Sequence, residues 1–404
     1  MTDDPTRSEP RPIPLPSARR HPFDPPPELG QLREQSAVHR LAYPDGHHGW
    51  LVTRHALVRK VLADPRFSAR SELKRAPVLR PGADPFYGQP ALPGWLVDMD
   101  PPDHTRYRRL LSDRFSMRRM KELQPRIEQI VEEHLAEMER VGPPADLVES
   151  FALPVPSLAI CELLGVPYED RREFQHNSAV LFSLEVSAEE AAASMVKLTD
   201  FLRALVRQKR ERPCDDLLSE LAIRDDFDDE ELAGLGVLLL TAGHETSASM
   251  LGLGTFALLS HPEQLALLRD NPALVDNAVE ELLRYLTIFQ FGVPRTPLED
   301  VVLEGHLIRA GESVTLSLPA ANRDPRQFEA PDKLDITRPV RGHVAFGFGI
   351  HQCIGQTLAR VEMRVGYPAL LRRFPTLRLA VPSEEVVLSS DAGFYGVHRL
   401  LVAW

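Results

Sequence analysis

The feature that most constrains the fold is one long apolar segment in the second half of the chain. From Leu232 to Ser260, a stretch of 29 residues, the only formal charge is that of Glu245. A transmembrane helix needs about 20 apolar residues, so length alone would allow a bilayer span. A carboxylate in mid-span would be costly, however, and five glycines in the segment indicate close contact with other parts of the protein. We therefore predict a long helix through the middle of a globular core and no membrane span.

Helical patterns dominate the rest of the chain. Apolar residues recur at three- and four-residue spacing between Met120 and Met138. Similar patterns extend over 145–164, 188–212, 277–286 and 353–373. Strand-like runs are short and lie at 50–53, 301–304, 313–318 and 397–402. With no internal repeat and no second composition regime, the sequence predicts a mainly α fold with a minor β-sheet region, as a single domain over residues 29–404.

The beginning of the chain differs in composition from the rest. Nine prolines lie between Pro5 and Pro27, with no apolar run among them. A secretory signal needs an unbroken apolar stretch of about 7–15 residues, so we predict none. We predict instead a Pro-rich flexible tail over residues 1–28, either a solvated leader or an arm that docks on a partner.

Charge and cysteine content narrow the classes of function. The chain has 47 basic and 58 acidic residues and a net charge of −11, which argues against a nucleic-acid binder because phosphate contacts need clustered Lys and Arg. Its 3 cysteines are too few for a disulfide framework, which favours a reducing, cytoplasmic location.

The stretch most informative about chemistry runs from Phe346 to Gly355 and contains Cys353 in a glycine-rich turn ahead of a helical pattern. The spacing of the residues excludes three kinds of site here: a phosphate loop, a dinucleotide-binding loop and a zinc site. The partial positive charge at a helix N-terminus favours thiolate over thiol. The residues alone leave three interpretations open: a nucleophile, an axial ligand of haem iron and a small buried cysteine.

A second polar motif, Ala242–Ser247, interrupts the apolar segment. It is not a zinc-protease motif, because Ala248 occupies the place of the second histidine. An acid and a hydroxyl in an apolar helix lower the stability of the protein unless they have a function or hydrogen-bond partners. Either Thr246 donates to the carbonyl of Ala242 and bends the helix, or Glu245 and Thr246 relay protons beside a buried reaction centre.

Two further patterns involve charged side chains. Glu281 and Arg284 share one face of a predicted helix, where an exposed pair would contribute about 0.2–0.5 kcal/mol, and their apolar neighbours leave burial open. His104 and Arg108 begin a local run of basic residues and, four positions apart, could hold carboxylates. A solvated helix face is the simpler interpretation of that run.

Taken together and in this order, these four features resemble the cytochrome P450 family of haem-thiolate monooxygenases. Residues 346–355 match the family signature F-x-x-G-x-x-x-C-x-G at every fixed position. Ala242–Ser247 match its oxygen-binding pattern, A/G-G-x-D/E-T-T/S, and Glu281 with Arg284 match its E-x-x-R pattern. The resemblance covers nearly the whole chain to Trp404 and is closest to soluble actinobacterial members of the Streptomyces type.

The resemblance implies haem b (iron protoporphyrin IX) as cofactor, with Cys353 as the axial ligand of its iron. Phe346 would pack near the sulfur, and Gly243 would lie against the cofactor. The residues that would hold the haem propionates are His104, Arg108, Arg295 and His351.

Roles for the remaining matching positions follow from the same resemblance. Thr246 and Glu245 would be the catalytic residues that steer protons during activation of dioxygen. A buried structural ion triad, without a catalytic role, would consist of Glu281, Arg284 and Arg338. The substrate pocket would be mostly apolar and would include Leu239, Ala242, Phe289, Val293 and Phe394.

For electrons, the resemblance implies separate partners, because one domain of this length leaves no room for a flavin or iron–sulfur module. We expect a ferredoxin and its NAD(P)H-dependent ferredoxin reductase, with Arg109 and Arg118 steering an acidic ferredoxin to the cysteine side of the haem. The implied protein is a monomer that hydroxylates or epoxidises a lipophilic small molecule, such as a macrolide, a polyketide, a terpenoid or a steroid. The alternatives are desaturation, C–C cleavage or oxidative coupling at the same centre, and a haem-binding sensor or carrier without turnover.

Overall fold

The computed structural model describes residues 11–79, 82, 87–167, 169 and 171–404. Within them the α-helices are α1 (Pro27–Gln35), α2 (His55–Ala63), α3 (Asp103–Ser112), α4 (Met117–Val141), α5 (Pro154–Leu164), α6 (Arg171–Phe182), α7 (Ala188–Glu211), α8 (Leu217–Ala222), α9 (Asp229–Leu259), α10 (Pro262–Asp270), α11 (Val275–Leu286), α12 (Leu318–Asn322) and α13 (Gln356–Arg373). The strands are β1 (Ile13–Pro14), β2 (Val38–Ala42), β3 (His48–Val52), β4 (Phe67–Ser68), β5 (Ala145–Asp146), β6 (Val293–Pro297), β7 (Val301–Leu303), β8 (His306–Ile308), β9 (Val314–Leu316), β10 (Arg378–Leu379), β11 (Val387–Leu388), β12 (Val397–Arg399) and β13 (Leu401–Ala403).

Helix α9 is the central element, and it corresponds to the apolar segment of the sequence. It begins with a capping box, in which the Asp228 carboxylate accepts from the N–H of Glu231 and the Glu231 carboxylate accepts from the N–H of Asp228. Most of its residues are buried, and α5 and α7 flank it. The prediction of a long core helix is confirmed. None of the described helices has both the length and the apolar character needed to cross a membrane.

Close approach of a neighbouring helix explains one of the glycines in α9. A Cβ atom on Gly254 would lie 2.0 Å from the hydroxyl oxygen of Tyr367, far inside contact distance. That hydroxyl donates to the carbonyl of Met250 at 2.6 Å. Helix α13, which begins just after Cys353, is thereby fixed against α9.

The largest sheet has the strand order β1-β2-β3-β9-β6-β4. Strands β3 and β9 are parallel, with Trp50 opposite Val314. Strand β6 lies antiparallel to β9 and pairs Arg295 with the same Val314. The remaining strands form three smaller sheets, so the architecture is mainly α with a minor β region, as predicted.

Several boundaries differ from those predicted. The helix predicted over 145–164 is divided into β5, which pairs with β13, a π-helical turn over Val148–Ala152 and α5, with Pro154 at its first position. The helix predicted over 353–373 begins at Gln356, because Cys353 belongs to the preceding loop. The predicted strand over 397–402 is two short strands, β12 and β13.

The flexible tail predicted over residues 1–28 is wrong for the part that the structure describes. Strand β1 pairs in parallel with β2, and Ile13 lies opposite Leu41. Phe23 is only 3% exposed and packs edge-on against Phe256, with ring centroids 4.8 Å apart. Phe23 stands among prolines and not in an apolar run, so the sequence does not indicate that this side chain is buried. Its burial fixes the segment against the core. Residues 1–10 of the predicted tail lie outside the described residues.

An ion cluster lies in the interior; this Glu281 cluster consists of Glu281, Arg284 and Arg338. Arg284 donates to both carboxylate oxygens of Glu281, at 2.7 and 2.8 Å. Arg338 donates from Nε to Oε1 of the same carboxylate at 3.3 Å. Arg284 also donates to the backbone carbonyls of Asn322 and Pro331. The arginine thus links α11 to two other segments of the chain.

Candidate active site

A cavity of about 490 Å³ lies against α9, β6 and the loop before α13. Thirteen of the site residues predicted from the sequence line it: His104, Arg108, Leu239, Ala242, Gly243, Thr246, Phe289, Val293, Arg295, Phe346, His351, Cys353 and Phe394. Glu245 and the Glu281 cluster lie outside this lining. Residues distant in sequence therefore converge on one cavity around a single cysteine.

Cys353 lies in a tight loop three residues before α13. Its backbone N–H donates to the carbonyl of Phe346 at 2.9 Å and closes the loop. The Phe346 ring in turn lies under the guanidinium of Arg360, 4.6 Å from the ring centroid. Phe346 thereby fixes both the backbone and one side of the loop that carries the sulfur.

The surroundings of the Cys353 sulfur have opposing effects on its pKa. The side chain is open to the cavity, but its depth within the protein removes it from bulk solvent and raises its pKa above the ordinary value of a thiol. Backbone N–H groups of Gly355 and Gln356, at the start of α13, act in the opposite direction, as do the positive charges of Arg108 and Arg360. A bound metal cation would add a much larger charge at the sulfur and favour the thiolate.

Basic side chains are concentrated around the cavity; they are Lys74, His104, Arg108, Arg295 and His351. The rings of His104 and His351 lie 4.3 Å apart. Burial, together with the nearby charge of Arg295, lowers the pKa of His351 to about 2. The pKa of His104 is lowered by burial and by Arg108. The positive charges here are therefore those of Lys74, Arg108 and Arg295, and they favour an anionic ligand in the cavity.

An unsatisfied nitrogen indicates where such a ligand would bind. Nε2 of His104 is buried and has no hydrogen-bond partner among the described residues. Lys74, by contrast, already pairs with Asp98, at 2.5 Å. A mostly apolar cavity with a thiol, an unsatisfied imidazole and excess positive charge fits haem, which is a flat apolar ring with two carboxylates and an iron. His104, Arg108, Arg295 and His351 would hold the carboxylates, and Cys353 would bind the iron.

Thr246 and Glu245 are neighbours on α9 with different surroundings. The Thr246 hydroxyl lines the cavity and donates to the carbonyl of Ala242 at 2.9 Å, so the local hydrogen bond considered from the sequence is present. Its oxygen can still accept a hydrogen bond. Glu245 instead places Oε1 3.4 Å from Nε2 of His244. Gly243 is needed for close packing, because a Cβ there would lie 2.8 Å from the Ile160 side chain.

Sequence reasoning missed two buried charged groups near the site. Lys74 lines the cavity but lies in an irregular stretch with no recognisable motif. Residues 80, 81 and 83–86 of that stretch lie outside the described residues. Glu362 on α13 is fully buried, and within the described residues neither carboxyl oxygen has a partner in good hydrogen-bond geometry. Burial raises the pKa of Glu362 to about 8, although the Ser247 hydroxyl on α9 acts to lower it. Only the contact between α9 and α13 reveals this acid.

We expect Glu362→Gln to remove a loss of stability at alkaline pH. The folded pKa of about 8 exceeds the ordinary 4.5, so between these values the unfolded chain releases a proton that the folded protein retains. The free energy of unfolding of the wild type therefore falls as pH rises from about 4.5 to 8, by on the order of 3–5 kcal/mol. Urea unfolding at pH 5 and pH 8 measures the difference, with exposed Glu128→Gln as control. Parallel pH curves for Glu362→Gln and the wild type would contradict the prediction.

The mainly helical fold and this cavity fit a haem-binding protein. Comparison with known proteins agrees: residues 181–394 match the family model described as Cytochrome P450. Cytochrome P450-SU2 of Streptomyces griseolus is 47% identical over 97% of this chain and 96% of its own length. Pentalenic acid synthase of Streptomyces avermitilis is 44% identical over the whole of both chains. The crystal structure of CYP105P1 in complex with filipin I superposes with a TM-score of 0.91, at 44% identity, covering 98% of this chain and 99% of that one.

The chain belongs to the cytochrome P450 family. Its relatives are monooxygenases, and the family implies a haem iron. The fold and enzyme class predicted from the sequence are confirmed.

Proposed function

We propose that this protein inserts one oxygen atom of dioxygen into a lipophilic small molecule by hydroxylation or epoxidation. Haem, when bound, supplies the iron chemistry that activates dioxygen. The observation that carries the proposal is the cavity, which places a cysteine thiol, several basic side chains and an α9 hydroxyl around a mostly apolar space. Such an enclosed, apolar site selects a lipophilic ligand and limits the entry of water.

An aromatic cluster supports the substrate class. The ring of Phe394 contacts that of Phe182 at 4.8 Å and that of Phe289 at 5.2 Å between centroids. With Leu239 and Val293, these rings offer an apolar wall without hydrogen-bond donors. The similarity to a pentalenic acid synthase and to a protein crystallised with filipin I further supports a macrolide, polyketide, terpenoid or steroid substrate.

Product analysis under ¹⁸O₂ tests the proposal. The enzyme is supplied with a ferredoxin, a ferredoxin reductase and NADPH, and a panel of macrolides, terpenoids and sterols is screened by mass spectrometry. We expect a product that is heavier by one ¹⁸O atom. Desaturation or oxidative coupling would instead give loss of two hydrogens without the label, and C–C cleavage would give fragments. Turnover of none of the panel, despite haem binding and reduction by the ferredoxin, would favour a sensor or carrier.

Thr246→Ala is expected to uncouple oxygen consumption from product formation. Without this hydroxyl, the cavity loses the α9 group proposed to steer protons, so product formed per dioxygen consumed should fall about 10-fold or more. Parallel measurement of NADPH, dioxygen and product gives the ratio. Thr255→Ala is the matched control, because Thr255 makes the same bond to a carbonyl four residues earlier, at 2.7 Å, but lies outside the cavity. Full coupling in Thr246→Ala would refute the role.

Two arginines are proposed to dock the ferredoxin. Arg109 and Arg118 line a second, polar cavity of about 850 Å³ together with Arg106, Arg114 and Arg224. The last three pair with acids, whereas no ion pair of Arg109 or Arg118 occurs within the described chain. These two charges are therefore available to an acidic partner.

Charge reversal tests this docking surface. We expect Arg109→Glu with Arg118→Glu to slow reduction by the ferredoxin about 10-fold at low salt and to weaken its salt dependence. Stopped-flow reduction at several ionic strengths measures both effects. Arg140→Glu, at an exposed position of α4, is the control. Unchanged rates in the double variant would place the ferredoxin elsewhere.

A further inference from the structure

His244 is a buried imidazole with one satisfied and one unsatisfied nitrogen. It is fully buried in α9, next to Glu245. Nδ1 lies 2.7 Å from the carbonyl oxygen of Leu240. A carbonyl can only accept, so Nδ1 carries a proton. In the part of the chain that the structure describes, Nε2 has no hydrogen-bond partner.

The position of Nε2 beside a carboxylate favours a further proton on this pair. With Nδ1 protonated, a neutral His244 presents the lone pair of Nε2, and Oε1 of Glu245 lies 3.4 Å away. Two acceptors then lie within ion-pair distance of each other, although they are not aligned as in a hydrogen bond, and the imidazole is fully buried. A single proton between them resolves the conflict, either as an imidazolium with a carboxylate or as an imidazole with a carboxylic acid.

Neighbouring elements supply no alternative charge to His244. The ring of Phe174 on α6 meets the imidazole edge-on, with centroids 5.6 Å apart. The other buried polar residues of α6 here, Asn177 and Ser178, are uncharged. Helix α5 presents Ile160 at the adjacent Gly243. Within the described residues, Glu245 is the one ion-pair partner of His244.

We propose that His244 is a positioning residue that shares one proton with Glu245 and so keeps a proton stored beside Thr246. The inference rests on the proposed function, because only a reaction that consumes protons needs such a store. The proton moves from Nε2 to Oε1, which leaves a neutral imidazole whose Nδ1–H still donates to Leu240. Glu245 then passes the proton on towards the cavity. The pair is recharged from solvent, since 24% of the Glu245 side chain is exposed.

Nitrogen NMR of the histidines tests the shared proton directly. The ¹⁵N-histidine-labelled holoprotein is examined in its diamagnetic reduced, carbon monoxide-bound form, and His244 is assigned by the signals that disappear in His244→Phe. We expect a protonated or proton-sharing Nε2 near neutral pH, which changes to a lone-pair nitrogen in Glu245→Gln. A lone-pair Nε2 in the wild type would overturn the proposal.

Coupling measurements then separate proton storage from structural support. His244→Phe keeps a ring against Phe174, and we expect about 10-fold less product per dioxygen and an altered solvent deuterium isotope effect, with little change in substrate affinity. His244→Gln keeps a donor for Glu245 but cannot transfer a proton, so it should bind haem normally without restoring coupling. His134→Phe is the control, because His134 makes the same Nδ1 bond to a carbonyl four residues earlier, at 2.8 Å, on α4. Full coupling in His244→Phe would overturn the inference.

The experiments distinguish failure of the proposed monooxygenase function from failure of the proposed role of His244. If the ¹⁸O experiment gives no labelled product from the wild type, the proposed function fails, while the NMR spectrum still reports the proton on Nε2. If labelled product forms normally and Nε2 carries no proton, the role of His244 alone is wrong.

Discussion

Cys353→Ser is expected to abolish the strongly red-shifted Soret band of the reduced, carbon monoxide-bound protein. The shift requires a thiolate ligand, and a serine hydroxyl at the same place in the loop cannot supply the same electron donation to the iron. Monooxygenation should fall by at least about 10³-fold, because that donation favours cleavage of the O–O bond. Absorption spectra after dithionite and carbon monoxide, with haem content measured in parallel, give the result.

The chain provides a control for this substitution. Cys214 is exposed and lies outside the cavity, so Cys214→Ser should keep the wild-type spectrum and activity. An unshifted band in the wild type, or no haem at all, would mean that Cys353 has only a structural role. In that case the cations around the cavity would need another ligand, and the role assigned to His104 would fail with that of Cys353.

Motifs that are local in sequence carried most of the prediction of the site. Cys353 with its glycines and Thr246 with Glu245 are each recognisable within six to ten residues, and Cys353 and Thr246 line the same cavity. Arg295 and His351 were assigned only by family resemblance, because neither their spacing nor their neighbours set them apart. The pairing of β6 with β9 brings Arg295 to the cavity, and such pairing is a property of the whole fold.

The features that sequence reasoning missed depend on contacts between distant elements. Glu362 looks like any acid on an amphipathic helix until α13 is placed against α9. The anchor Phe23 is surrounded by prolines, and its burial against Phe256 depends on where the core surface lies. The proton conflict at His244 arises from a distance of 3.4 Å and a defined tautomer, neither of which a motif records.

Burial also decides the size of the effect expected for Arg284→Ala. The spacing of Glu281 and Arg284 is that of an ordinary surface pair, but both side chains are 0% exposed. Removing the guanidinium leaves a buried carboxylate that keeps only Arg338, at 3.3 Å, and the backbone N–H of Asp335. Loss of one partner of a buried pair costs about 3–5 kcal/mol. We therefore expect Arg284→Ala to lower the free energy of unfolding by about that amount, as measured by urea unfolding.

A pair at the same spacing provides the matched control. Glu137 and Arg140 on α4 have side chains that are 56% and 71% exposed, so Arg140→Ala should cost only about 0.2–0.5 kcal/mol. Replacing Arg284 and Glu281 together, by Met and Leu, should recover only part of the loss. The apolar pair removes the stranded carboxylate, but the carbonyls of Asn322 and Pro331 still lose the donor that Arg284 supplies. Equal, small losses of stability for Arg284→Ala and Arg140→Ala would show that the buried triad is dispensable. Full recovery of stability in the double variant would show that the two carbonyls do not need Arg284.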